Sequence, residues 1–162
     1  MLSRHRVEYV LVGGGAARLF GATRVTEDTD CLARRTDENL DRLAAAMREL
    51  TARLRVEGLT DEEASALPVT IDRRTLSALE ISTWTTDAGW FDVLANIPSS
   101  AGARLTFEDV IVTAVVVDVG ETAVPLASLD VIIASKEWAN RPKDRVALPE
   151  LRGLRDALGD RT

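Results

Sequence analysis

The chain has one cysteine, one histidine and two lysines in 162 residues. Cys31 alone cannot form an internal disulfide, and no Cys/His cluster exists that could hold zinc. His5 is the sole histidine, which argues against Ser-His-Asp and Cys-His catalysis. Chemistry therefore falls to Asp, Glu, Lys, Arg, Ser or Thr. No apolar run reaches the roughly 18 residues of a membrane helix. Met1 to Val12 lacks a signal-peptide layout, because its apolar stretch is short and ends in glycines. These absences fit a reducing, cytoplasmic setting with no membrane partner.

What is present is the composition of a folded domain: 46% apolar and 28% charged residues. The length predicts a single domain over 1–162, large enough for a core without disulfides or structural metal. The net charge of −6 argues against a generic DNA-coating protein. It is unevenly spread. Residues 56–127 hold twelve acidic and three basic groups, while the flanking segments are close to neutral. A local basic surface is compatible with that pattern, and so is a plain solvated acidic face. Both lysines, Lys136 and Lys143, fall within eight residues of a chain that otherwise uses arginine. Lys offers a compact point charge where Arg offers a planar fork.

The apolar and β-branched pattern predicts strands at 7–12, 29–32, 80–85, 90–95, 114–119 and 122–126. The turns at Asp87-Ala88-Gly89 and Gly120 make the last four strands two hairpins. Helices are predicted at 16–20, at 38–53 behind a Thr36 or Asp37 cap, from Ser128 to Trp138, and at 143–158 after Pro142. Phe107 to Ile111 reads as a short element, Asp61-Glu62-Glu63 as a first helical turn, and 98–102 as a loop. The fold class is α/β (α+β), a mixed β-sheet with flanking helices.

Three constellations could carry chemistry. Gly13-Gly14-Gly15 after a strand is either a tight turn or a place where backbone N–H groups approach an anion. It has neither Rossmann nor P-loop spacing. Asp28 and Asp30 are two apart, so a strand points both to one face. Their mutual repulsion makes sense around Mg²⁺ or Mn²⁺, and a polar turn is the plainer reading. Asp92 interrupts the apolar run Trp90-Phe91-Asp92-Val93-Leu94, so it sits either on the solvated face of an edge strand or beside a partner or metal. Last, Lys136, Arg141, Lys143 and Asp144 surround a helix break, as a basic helix end or as groups aimed at phosphates.

Taken in order, these stretches resemble the DNA polymerase β-like nucleotidyltransferase superfamily. In particular they resemble its AbiEii-type toxin family, which includes the MenT-like toxins. The matching residues are Tyr9 to Ala16, Gly21 to Asp30, Gly89 to Leu94 and Ala127 to Asp130, then Lys136 and Arg141 to Asp144. The resemblance runs from about residue 7 to 155. It implies a minimal nucleotidyltransferase fold with Asp28, Asp30 and Asp92 as metal ligands and catalytic carboxylates. Lys136 would bind phosphate oxygens, and Gly13, Gly14 and Gly15 would cradle a triphosphate. Arg24, Arg141, Lys143 and Asp144 would support the nucleotide or acceptor. The superfamily motif often carries Ser where this loop has only glycine.

The implied reaction is Mg²⁺-dependent (or Mn²⁺-dependent) transfer of NMP from an NTP to the 3′ end of tRNA, blocking aminoacylation. An antibiotic or a protein hydroxyl is the alternative acceptor. The implied partners are tRNA and a cognate antitoxin. Some antitoxins of such systems phosphorylate an active-site Ser or Thr, which makes Thr26 and Thr29 candidate positions. The three tryptophans are expected in the core or at its rim, where any of them could stack on a base.

Overall fold

The computed structural model describes residues 1–100 and 102–159. Its first strand, β1 (Tyr9–Val12), buries Tyr9, Val10 and Val12, and the chain passes straight into α1 (Gly13–Leu19). The glycines expected to form a turn are thus the first turn of the helix. Gly13 makes this possible, because its φ of +65° bends the chain out of the strand at a cost only glycine avoids.

The second strand, β2 (Asp28–Ala33), runs antiparallel to β1 with Val12 opposite Asp30. Its pattern divides in two: Asp28 to Asp30 keep access to solvent, whereas Cys31, Leu32 and Ala33 are fully buried. Thr36 then caps α2 (Asp37–Glu49), whose Leu40, Leu43, Ala44 and Met47 enter the core. This helix ends four residues before the predicted Arg53, because Thr51 takes a positive φ of 52° and the chain turns into β3 (Arg53–Leu54). Buried Asn39 ties α2 to the far end of the strand pair. Its amide accepts from the Glu8 N–H at 2.7 Å and donates to the carbonyls of Glu8 and Arg34 at 2.9 Å.

The mixed stretch that follows holds two capped helices. Thr60 and Glu63 form a capping box on α3 (Asp61–Ser65), and Asp72 caps α4 (Arg73–Ala78), a helix the apolar spacing does not announce. The first predicted hairpin forms as β4 (Ile81–Thr86) and β5 (Gly89–Leu94), with Gly89 at a φ of +111°. The expected loop at 98–102 instead begins inside a small ribbon, β6 (Ile97–Pro98) with β7 (Arg104–Leu105). Next come α5 (Phe107–Ile111) and the second hairpin, β8 (Val115–Val119) with β9 (Thr122–Leu126). Ser128 caps α6 (Leu129–Ala139), and Asn140 closes it in the left-handed conformation. Pro142 does not merely break the chain. It opens α7 (Pro142–Gly159), where its missing N–H has no partner to lose.

Seven strands form one mixed sheet in the order β3-β4-β5-β2-β1-β9-β8. The fold class is therefore the expected mixed α/β arrangement, consistent with a small nucleotidyltransferase fold. The central position of β2 matters most. It pairs antiparallel with β1 and parallel with β5, which the sequence order alone does not dictate. Trp84, Leu43, Ile132 and Leu151 belong to one continuous core.

Candidate active site

The parallel pairing of β2 with β5 sets Asp30 directly opposite Asp92 and Asp28 opposite Trp90. Alternation along each strand then puts Asp28, Asp30, Trp90, Asp92 and Leu94 on one face. Phe91 and Val93 turn into the core. Carboxylate oxygens of Asp28, Asp30 and Asp92 lie within 4.8 Å of one another. The two readings of Asp92 are thereby separated: β5 lies between β4 and β2, so Asp92 is not on an edge strand.

Like charges this close are costly. Burial, then the charges of Asp28 and Asp92, raise the Asp30 pKa from 3.8 to about 6, with Lys136 and Lys143 opposing them. Burial and Asp28 raise Asp92 as well, against Arg55 and Lys143. Asp92 Oδ1 is buried with no hydrogen-bond partner among the described residues. A buried carboxylate oxygen facing two other carboxylates is what a hard divalent cation satisfies, so these three residues fit Mg²⁺ or Mn²⁺. Thr26 Oγ1 donates to Asp28 Oδ1 at 2.6 Å and holds that carboxylate in place.

Gly13 has a second constraint besides its backbone angle. A Cβ there would stand 2.0 Å from Asp30 Oδ2, so the carboxylate occupies the space of the missing side chain. Gly14 abuts Thr26 in the same way at 3.0 Å. Both line a cleft of about 370 Å³ beside the carboxylates. Gly15 does not line it and instead packs toward the backbone of Asp28.

The opposite wall of this cleft is cationic: Arg24, Lys136, Arg141 and Lys143 all face it. Asp144 does not line the cleft. It is fully buried behind the wall, accepting from Lys136 Nζ at 3.1 Å and Arg141 Nε at 2.6 Å. Burial alone would raise its pKa, but the hydrogen bonds from Arg141 and Lys136 outweigh that and hold it below the usual carboxylate range. Asp144 therefore positions Lys136 and Arg141. The loop before β2 is fastened to α7, where the Thr23 N–H and hydroxyl both donate to Glu150 Oε1 at 2.7 Å. Of the two threonines, Thr26 lines the cleft. Thr29 lies between the two aspartates, so strand alternation turns it to the other face.

Sequence reasoning missed Thr23 and Glu150, for which the sequence holds no signal, and Arg55. The Arg55 guanidinium lies 4.2 Å from the centroid of the Trp90 ring, which borders the cleft. Trp90 was legible in part, since it stands two residues before Asp92 and shares its face. Of the other tryptophans, Trp84 is core and Trp138 is exposed.

The family model described as nucleotidyl transferase AbiEii toxin, Type IV TA system, matches residues 1–157. The chain belongs to the AbiEii family. It is a nucleotidyltransferase toxin of a toxin–antitoxin system, and membership implies an antitoxin partner. A comparison with curated proteins gave no significant match. Nucleotidyltransferases generally use a divalent metal, and the AbiEii chain offers Asp28, Asp30 and Asp92 for one. Among the described residues, no helix is long and apolar enough to cross a membrane.

Two stability measurements check this electrostatic description. Because folding raises the Asp30 pKa, the carboxylate imposes no cost below pH 3.8, and its cost is complete above about 6, on the order of 3 kcal/mol. In metal-free buffer, Asp30→Asn is expected to raise the melting temperature at pH 8 by about 5 °C or more, and to lose that advantage near pH 4. Equal melting at pH 8 contradicts it. Asp144 has the opposite sign: its stabilisation is present above the usual carboxylate range and is lost as pH falls below it. Asp144→Asn strands the Lys136 ammonium, whose side chain is 15% exposed. Urea unfolding at pH 7 is expected to show a loss of about 2–3 kcal/mol, shrinking in acid.

Proposed function

We propose that this toxin transfers a nucleoside monophosphate from an NTP to the 3′ end of tRNA and so blocks aminoacylation. The observation that carries this reading is the cleft itself, in which three convergent carboxylates face four cationic side chains. That combination suits a metal-bound triphosphate. Asp28, Asp30 and Asp92 would hold Mg²⁺ (or Mn²⁺), which when bound neutralises phosphate charge and orients the reacting oxygens.

The protein's own groups divide the remaining work. Lys136, held by Asp144, Arg141 and Lys143 would take the β- and γ-phosphates, with Arg24 closing the outer side. Gly13 and Gly14 line the cleft, where their backbone would meet phosphate, while their missing side chains make room for Asp30 and Thr26. The acceptor hydroxyl attacks the α-phosphorus, the bond to the bridging oxygen breaks, and pyrophosphate leaves. Asp92, whose pKa is raised by burial and by Asp28, would receive the hydroxyl proton. Positioning and charge stabilisation supply most of the rate. This substrate implies a cytoplasmic protein.

Thr26 is the better of the two candidate positions for silencing by phosphorylation. Its hydroxyl already touches Asp28, so a phosphate there would set about −2 charge against two carboxylates and the triphosphate.

Incubation with total tRNA, Mg²⁺ and each α-labelled NTP tests the reaction. Label is expected at the tRNA 3′ end and is expected to fall at least about a hundredfold in the Asp28→Ala, Asp30→Ala double variant. Label that goes only to protein or small molecules, or to nothing, refutes the tRNA reading. In the same assay Thr26→Glu is expected to abolish transfer and Thr29→Glu to retain most of it. Equal activity of Thr26→Glu and wild type contradicts the assignment of Thr26.

A further inference from the structure

A second cleft, of about 410 Å³, opens beside Asp30 and Asp92, which line both clefts, whereas Asp28 lines only the first. The site face of β5 runs through both. Trp90 borders the first cleft, Asp92 both, and Leu94 the second. Lys136 is shared in the same way, while Ile132, one turn earlier on α6, faces only the second. The carboxylates thus form the wall between two spaces of different chemistry.

That difference assigns direction. An in-line displacement at phosphorus brings the entering oxygen from the side opposite the leaving oxygen. The leaving pyrophosphate is the most anionic part of the reaction and belongs against Arg24 and Lys143, which line the first cleft and not the second. The entering hydroxyl must then come from the second.

The second cleft also describes its ligand. Its walls are Ile81, Leu94, Ile97, Pro98 and Ile132, with Arg104 among them, whose Nη1 donates to Asn96 Oδ1 at 3.1 Å. Ile81 is 57% exposed, a large apolar side chain with a face left open to the cleft. Among the described residues, the only acids lining this cleft are Asp30 and Asp92, which hold the metal in the proposed function. The remaining charges, Arg104, Lys136 and Arg141, are positive and disfavour a cationic antibiotic. Apolar walls with a cation beside them fit a nucleobase and the phosphodiester that precedes it.

Building on the nucleotidyl transfer reading, we propose that this cleft is the acceptor site and that it seats the terminal nucleoside of a single-stranded RNA 3′ end. The base lies against Ile81, Leu94 and Pro98, and Arg104 takes the adjoining phosphate.

The test uses two ligands on the full chain. Fluorescence anisotropy follows a fluorescein-labelled hexaribonucleotide with a free 3′ hydroxyl, and calorimetry follows NTP with Mg²⁺. Ile81→Glu and Arg104→Glu each change an exposed side chain, and unchanged thermal melting verifies folding. Each is expected to weaken RNA binding at least about tenfold while leaving NTP binding within about twofold. Arg104→Glu is also expected to reduce the salt slope of RNA binding by about 0.7.

Equal effects on both ligands, no effect on RNA, no RNA binding by the wild type, or binding of a hydroxyl-bearing peptide in place of RNA would each overturn the assignment. Variant-sensitive RNA binding without any label transfer would refute the transfer reading and leave the cleft an RNA site. Transfer to RNA with an acceptor KM indifferent to both variants would do the reverse.

Discussion

Three carboxylates forced together across two adjacent strands are the feature around which the rest of the site is arranged. Asp28, Asp30 and Asp92 stand on paired strands in the middle of the sheet, so strand alternation and register keep them on one face. The cost shows in the raised pKa values of Asp30 and Asp92 and in the unpartnered Asp92 Oδ1. What sustains it is the apolar half of the same strands: Cys31, Leu32 and Ala33 on β2, with Phe91 and Val93 on β5. The strain is local and the core beside it is ordinary. Such an unfavourable cluster in a well-packed sheet marks a place kept for a ligand of opposite charge.

The cationic wall is a second consequence. Lys136 and Arg141 would swing freely or collapse onto the carboxylates without a partner of their own. Buried Asp144 supplies that partner from behind, so the two cations stand across the cleft from the acidic face. The molecule's net charge of −6 is then no obstacle to binding a polyanion. The positive charge that matters is local and is gathered from the loop before β2, α6 and the start of α7. Glu150 fastens that loop to α7 through Thr23, which gives the wall a fixed shape.

Much of this was legible in the sequence because it depends on alternation. The Asp28-x-Asp30 spacing and the lone acid in Trp90 to Leu94 both follow from a period of two, and both hairpins carry turn signals. Local rules do not carry pairing between distant strands, so the Asp30–Asp92 register and the interior place of β5 were open. Helical periodicity could not reveal that Gly13 begins α1, since glycine contributes no pattern. Nor could it reveal that its missing side chain makes room for Asp30. The resemblance groups Asp144 with Lys136, Arg141 and Lys143 as a support for the nucleotide or acceptor, and only tertiary packing makes it a buried anchor behind them. Thr26 and Thr29 looked equivalent until the strand boundary was known. The short helix α4 has a cap but too few apolar positions to announce itself.

The central claim is that one cleft holds metal and triphosphate together against the three carboxylates. A crystal structure with Mn²⁺ and a non-hydrolysable NTP tests it directly. The account predicts anomalous density between Asp28, Asp30 and Asp92, with the β- and γ-phosphates against Lys136 and Lys143. Mn²⁺ bound elsewhere, or a triphosphate lying in the apolar cleft beside Ile81, would contradict it.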